Sequence, residues 1–371
     1  MLKILFFIET LGCGGAEKVL CDLVNHMDRT KFEVSVRTLW PCEGENKLAE
    51  GIGYRSVYPS RSRFNRSRMR LESALGLTYP LHLKGDYDIE VAYLEMASTK
   101  IIAGSTNRRG KKLAWVHCDL LKAVGDPVNF GKKTAPYYAE YDKVICVSNG
   151  IKESFDKIFG GRFPSIVINN VIDDEAVLKK AELVPADIEK GSEPIVMAVG
   201  RLSVPKNYYR LLKAHKRILD EGIPHQLWII GEGPERVGLE RLIDELGVNK
   251  TVHMPGFRDN PYAYMNRADI IACSSSYEGF STVITEAVIL GKPVVTTECP
   301  GMREILGDSE FGLITENDDD AFCGGLKKML EDHDLRKHYE TKAAERRRRF
   351  SASELTKETE SFLINMMEGS N

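Results

Sequence analysis

The chain has 371 residues, 43 % of them hydrophobic and 28 % charged, and at about 150 residues per domain it makes two domains, each able to bury its own core. Lys and Arg number 51 against 54 Asp and Glu, a net charge of -3 that excludes a disordered chain and a globally basic nucleic-acid binder. No stretch reaches the roughly 18 consecutive apolar residues of a membrane span, and Glu9 comes too early for a signal-peptide core, so a cytoplasmic protein is expected.

The first apolar run, residues 4–8, is followed by Gly12, Gly14 and Gly15, and then by Ala16, Val19, Leu20, Leu23, Val24 and Met27 at helical spacing. That order predicts strand, glycine turn, helix. The runs EVSVRTL, DIEVAYL, KLAWVH, KVICVS and SIVI follow, separated by helical stretches, as expected for parallel strands buried on both faces. The charge-rich stretch 173–192 then marks a junction, after which IVMAVG, QLWIIG, TVHMPG, IIACSS, PVVTT and GLIT each feed a loop and a helix. The fold class is therefore α/β, with two Rossmann-like doubly wound parallel-sheet domains. We place the first at 1–172 and the second at 173–352. Residues 353–371 carry Leu355, Phe362, Leu363, Met366 and Met367 on one helical face, an amphipathic helix that needs a docking surface. The eight cysteines are scattered without a Cys-x-x-Cys pair and are expected to be reduced and mostly buried, with no metal cage.

Ligands of open α/β sheets bind outside the carboxyl ends of the strands, so the loops there carry the chemistry. LGCGGAE and GEGPER both begin Gly-x-Gly, but Glu17 and Arg236 stand where a dinucleotide fingerprint needs its third small residue. A nicotinamide or flavin enzyme is disfavoured, and these glycines serve either phosphate contact or tight turns. In GRLSVPKN, Arg201 and Lys206 stand together at a strand end, and two cations at one crevice suit a pyrophosphate. The segment CSSSYEGFSTVITEAVILGKPVVTT places Phe280, Ser281 and Thr282 at a helix start, where free N–H groups and the helix dipole favour an anion. Glu278 precedes that helix and Glu286 lies within it. Carboxylates accept hydrogen bonds from vicinal hydroxyls, so an anion site flanked by two of them fits a nucleotide-linked sugar. Asp86 and Asp88 have the spacing of an Asp-x-Asp metal motif, yet they fall where a buried strand starts and are assigned to that start.

The Glu-x7-Glu element within EGFSTVITEA, preceded by GRLSVPKN, GEGP and PGF and by GGAE near the start, resembles the family 4 retaining glycosyltransferases of GT-B fold over nearly the whole chain. The resemblance implies two domains facing a central cleft, a nucleotide sugar on the second, an acceptor on the first, and neither metal nor cofactor. It implies that Arg201 and Lys206 hold the diphosphate and Glu286 the ribose, with Phe257 and Arg258 beside the base. Glu278 would contact the transferred sugar, the Phe280, Ser281 and Thr282 backbone its phosphate, and Gly14 and Gly15 would lie across from the diphosphate. His117, at the end of KLAWVH, would stand near the donor sugar, and the last helix would cross back to the first domain. Asp119 is either a base for the acceptor hydroxyl or a helix cap. UDP is slightly favoured over other nucleotides.

Arg55, Arg61, Arg63, Arg66, Arg68 and Arg70 occur without an intervening acid and precede Leu71, Leu75, Leu77, Leu81 and Leu83. They form either a solvated face or a contact with an anionic membrane surface or lipid diphosphate acceptor, the latter implying a peripheral position on the membrane. The expected activity is metal-independent transfer of a hexose or N-acetylhexosamine to a glycan or lipid-linked glycan in cell-surface polysaccharide assembly. The alternatives are a nucleotide-sugar epimerase of the same fold and a noncatalytic nucleotide-sugar-binding scaffold.

Overall fold

The computed structural model describes residues 1–12, 14–42, 47–188 and 191–369. The chain divides into two compact units, Met1–Ile172 with Ala352–Asn371, and Asp173–Ser351.

The first unit is built on seven strands, β1 (Leu2–Ile8), β2 (Phe32–Thr38), β3 (Gly53–Ser56), β4 (Ile89–Ala92), β5 (Lys111–Val116), β6 (Lys143–Cys146) and β7 (Ser165–Val167). They lie in the order β3-β2-β1-β4-β5-β6-β7 and every pairing is parallel. Residues 4–8 of β1 are fully buried because helices cover both sheet faces, which is why the strand reads as a solid apolar block. The helix Gly15–His26 buries Val19, Leu20, Leu23 and Val24, the spacing read from the sequence. β3 has no such run. Its sequence GYRS alternates between exposed and half-buried at the sheet edge, so hydrophobic periodicity does not find it. Asp88 accepts from the amide of Lys3 at 2.8 Å and Asp86 lies 3.8 Å from the Lys3 ammonium, so this pair pins the start of β4 against β1.

The last helix, Ala352–Glu368, packs on Gly15–His26 within the first unit. Its buried stripe is more polar than the expected face: Leu355 and Leu363 are joined by Thr359 and Glu360, while Phe362, Met366 and Met367 are only half-buried. Thr359 and Glu360 are satisfied there, whereas the hydroxyl of Thr356, also buried on this helix, has no partner among the described residues. Thr359 donates to the Leu355 carbonyl at 3.0 Å, and Glu360 accepts from the Asp28 amide at 2.6 Å.

The second unit has six strands, β8 (Ile195–Val199), β9 (Gln226–Ile230), β10 (Val252–Gly256), β11 (Ile270–Cys273), β12 (Val294–Thr297) and β13 (Leu313–Thr315). Their order is β10-β9-β8-β11-β12-β13, again all parallel. Leu211, Leu212 and Ile218 of the helix Tyr208–Asp220 share one buried cluster with Val196, Ala198, Ile229 and Ile270. In each sheet the strand order reverses beside the first strand, between β1 and β4 and between β8 and β11. Strand-end loops diverge there and leave a crevice.

Among the described residues none of the seven cysteines is in a disulfide; Cys42 and Cys118 are half-buried and the other five buried. Cys13 lies outside the described residues.

Candidate functional site

The loops leaving β8 and β11 border the crevice of the second sheet. Arg201 follows β8, is exposed, and its guanidinium has no partner among the described residues. Five residues on, Lys206 closes a short 3-10 turn, Val204–Lys206, and donates to Oε1 of Glu278 at 2.6 Å. The same carboxylate oxygen accepts from the Ser275 hydroxyl at 2.6 Å. Burial works against the Lys206 ammonium, but the adjacent Glu278 carboxylate outweighs it and holds the lysine above its ordinary value. Lys206 is therefore a fixed cation at neutral pH, held by one carboxylate oxygen at the carboxyl ends of two neighbouring strands.

Two glycines make this loop packing possible. Gly231, at φ +147, lies so close to the β8 loop that a Cβ would sit 2.0 Å from the Gly200 carbonyl, and one on Gly233 would sit 2.2 Å from that of Leu202. The loops are joined there by Gly200 N–H to Ile230 O and Leu202 N–H to Glu232 O, both 2.9 Å. The Gly-x-Gly of GEGPER thus serves close backbone approach.

After β11 the chain runs through residues 274–281 into the helix Thr282–Ile289. Phe280 is buried, edge-on to Phe350 at 6.4 Å. It anchors the loop and offers the site only backbone. Ser281 occupies the N-cap position without a capping side-chain bond, and its buried hydroxyl has no partner. The first amides of this helix, beginning with the half-buried Thr282, therefore lack the usual serine cap. Glu286, the fifth residue of the helix and 4 % exposed, accepts from the Tyr262 hydroxyl at 3.1 Å. The two glutamates therefore have separate partners: Glu278 is brought to Lys206, Glu286 to Tyr262.

Phe257 is 49 % exposed. Arg258 beside it is engaged locally: it donates to Asp187 at 2.8 Å, the Tyr264 hydroxyl at 2.9 Å and the Pro255 carbonyl at 2.6 Å. Hydrogen bonding to Asp187 raises its already high pKa. Of this pair, Phe257 presents the open surface.

In the first unit Gly14 is the N-cap of Gly15–His26, and both glycines are exposed. The Glu17 carboxylate folds back over Gly14, close enough that a Cβ there would lie 2.2 Å from its oxygen. His117 follows β5, with its ring 4.8 Å from that of Tyr93 and its Nε2 buried without a partner. Burial lowers its pKa to about 3, so the ring is neutral at neutral pH. Its backbone amide donates to Oε1 of Glu95, as does that of Cys118 at 2.8 Å. Glu95 is 8 % exposed, and burial raises its carboxyl pKa. The following residue, Met96, has φ 65, a costly conformation for a side chain of that size. Glu95 was missed at the sequence level, although its place just beyond β4 at the point of strand reversal is the available signal. Asp119 is 4 % exposed and accepts from the Leu121 amide at 3.1 Å and the Ser154 hydroxyl at 2.6 Å. Of its two readings, the structure shows the cap.

The family model for glycosyl transferases group 1 matches residues 180–346. The N-acetylgalactosamine-N,N'-diacetylbacillosaminyl-diphospho-undecaprenol 4-alpha-N-acetylgalactosaminyltransferase of Campylobacter jejuni is 30 % identical, over 98 % of this chain and 100 % of its own. The lipopolysaccharide core biosynthesis glycosyltransferase LpsE of Rhizobium meliloti is 31 % identical, over 57 % of this chain and 59 % of its own. Among solved structures, Anabaena HepE in complex with UDP-glucose has a TM-score of 0.80 at 20 % identity, covering 98 % of this chain and 100 % of that one. The last likeness is one of fold.

Proposed function

The chain belongs to the group 1 glycosyltransferases, and on that premise we propose that its second unit binds a nucleoside diphosphate sugar whose hexose or N-acetylhexosamine passes, with retention, to a polyprenyl-diphosphate-linked glycan. The observation that carries this is the Lys206–Glu278 pair at the β8/β11 crevice, with the unpartnered Arg201 on the same loop as Lys206. The acceptor class is taken from the Campylobacter jejuni relative, whose name specifies a diphospho-undecaprenol substrate.

Arg201 and Lys206 bind the diphosphate, and Glu286, with Tyr262 beside it, accepts hydrogen bonds from the ribose. Phe257 offers a face to the base, and Glu278 accepts from sugar hydroxyls. As the bond from the anomeric carbon to the phosphate oxygen breaks, negative charge grows on the leaving phosphate. Two fixed cations and the amides of the uncapped helix stabilise that charge; one such donor is worth about 3 kcal/mol. The acceptor oxygen attacks the anomeric carbon from the departing side, and its proton passes to the leaving phosphate oxygen. No step asks for a metal ion, so turnover should persist in chelator.

The test is calorimetry with UDP, GDP and ADP and their hexose derivatives, followed by transfer assays. One nucleoside diphosphate should bind the wild type, Glu286→Ala should weaken it, and Arg201→Ala should lower turnover. Wild-type behaviour in both variants would sink the assignment. Release of free epimerised nucleotide sugar would favour the epimerase instead.

The acceptor's lipid places the reaction at a membrane surface. No helix among the described residues is long and apolar enough to cross one. The helix Arg63–Ala74 carries Phe64, Leu71 and Leu75 on one face, 75 %, 62 % and 62 % exposed. Arg63, Arg66 and Arg70 are exposed and unpartnered among the described residues, whereas Arg68 pairs with Glu72 at 2.6 Å. An apolar stripe on a helix that also carries three free arginines suits an anionic lipid surface, each cation contributing about 1 kcal/mol.

A further inference from the structure

Asn317 lies in the loop after β13, two strands away from the β8/β11 reversal. Its side-chain nitrogen is 3.0 Å from both the Ser276 and the Glu298 carbonyls and 3.4 Å from that of Ser275. Its oxygen accepts from Arg210 Nη1 at 2.7 Å. Arg210 is itself 8 % exposed and also donates to Asp319 at 2.8 Å and the Ser274 carbonyl at 3.4 Å. Opposite these contacts, the loop ending in Lys206 grips the same segment. Ser274 Oγ donates to the Lys206 and Asn207 carbonyls, both at 3.0 Å, and the Ser276 amide donates to Pro205 O at 2.7 Å. Residues 274–276, which lead straight to Glu278, are therefore clamped between the lysine loop and a side-chain amide from another strand end.

Carbonyls beyond the last ladder bond of β11 and β12 need donors once buried. A side-chain amide is the group that supplies two N–H donors and an acceptor from one short fork. Asp has the same shape but would face those carbonyls with oxygen alone.

We propose that Asn317, oriented by Arg210, is a positioning residue for sugar transfer: it sets the seat of residues 274–276 and through it the 2.6 Å approach of Lys206 to Glu278. The inference rests on the donor site proposed above. Because Lys206 meets charge that grows on the phosphate during reaction, a displaced lysine loop lowers kcat more than it raises KM.

The experiment compares wild type, Asn317→Asp, Arg210→Lys and Lys206→Ala, each assayed per folded molecule. The donor and acceptor are those the wild type turns over fastest among UDP-, GDP- and ADP-linked hexoses and polyprenyl-diphosphate glycans. Asn317→Asp is expected to lower kcat about 10- to 100-fold, as misplacement of a site by about 1 Å does, with KM for the donor changed less than about threefold. Arg210→Lys should move both in the same direction by less, and it decides the question if Asn317→Asp fails to fold. Wild-type kcat and KM in both variants, with only a lower melting temperature, would overturn the positioning role while an inactive Lys206→Ala keeps the donor site intact. A fully active Lys206→Ala, or a wild type that turns over none of these donors, removes the donor site and this inference with it.

Discussion

Lys206 Nζ and Glu278 Oε1 lie 2.6 Å apart although 72 positions separate them in the chain. They meet because β8 and β11 are neighbours in the sheet while β9 and β10 lie on the other side of β8. Lys206→Ala should lower transfer by about 100- to 1000-fold, the range for loss of one preorganised donor at a developing anion. Glu278→Gln should behave differently at the binding step. It removes a negative charge next to the diphosphate site and frees Lys206, so nucleoside diphosphate should bind at least as tightly while transfer falls. Calorimetry on both variants checks this; equal weakening of binding would show that Glu278 is not the lysine's competitor for phosphate.

Asp119 separates a cap from a base. Its carboxylate is committed to the Leu121 amide and the Ser154 hydroxyl, so Asp119→Ala should cost about 1 kcal/mol of stability, as N-cap losses do. Turnover per folded molecule should stay at the wild-type value. A loss of kcat beyond tenfold with unchanged denaturation midpoint would return Asp119 to the reaction.

His215 gives the fold an acid limit. Its Nδ1 lies 2.7 Å from His225 Nε2 and its Nε2 2.9 Å from the Thr251 hydroxyl, and burial lowers its pKa from 6.5 to about 3. Because the folded value lies below the unfolded one, the unfolded chain binds the extra proton between pH 6.5 and 3. Stability is full above pH 6.5 and is lost as pH falls through that window, by about 1.4 kcal/mol per pH unit for this one group. Urea midpoints between pH 7 and 4 should fall, and His215→Gln should flatten the dependence. An unchanged slope in the variant would assign the acid sensitivity to other groups.

For the helix Arg63–Ala74, flotation with anionic vesicles at low salt should recover the wild type. Replacing Arg63, Arg66 and Arg70 by Glu should abolish recovery, as should salt near 1 M, where the screening length falls to about 3 Å. Retention of the triple variant on vesicles would reassign this face to solvent.

The parts of the fold legible from sequence are those where burial leaves an apolar-rich stretch. Twelve of the strands in the sheet orders fall in such stretches, solid in β8 and β11, alternating with polar residues in β2 and interrupted by His253 and Pro255 in β10. β3 does not, because none of the four residues of GYRS is fully buried and only Tyr54 is a large apolar side chain. The candidate site was legible in part for the same local reason. Arg201, Lys206 and Glu278 stand beside glycines, prolines and strand ends that mark loops, and loops after strands are where a sheet exposes chemistry; Glu286 lies inside the helix that the Glu278 loop feeds and is picked out by its spacing from Glu278. Tyr262, Asp187, Asn317 and Arg210 are not singled out by such marks, because each acts on a residue from another strand-loop-helix unit, 24 positions away for Tyr262 and Glu286 and 107 for Arg210 and Asn317.

The sequence by itself determined the two parallel sheets and the loops that hold the charged residues, since hydrophobic periodicity and turn chemistry are properties of neighbouring residues. Only the tertiary structure decided that Lys206 pairs with Glu278, that Arg258 is spent on Asp187, and that Gly231 lets two loop backbones touch. Those outcomes depend on strand order and on distances of a few ångströms between residues far apart in the chain, and hydrogen bonding and steric contact act at no longer range.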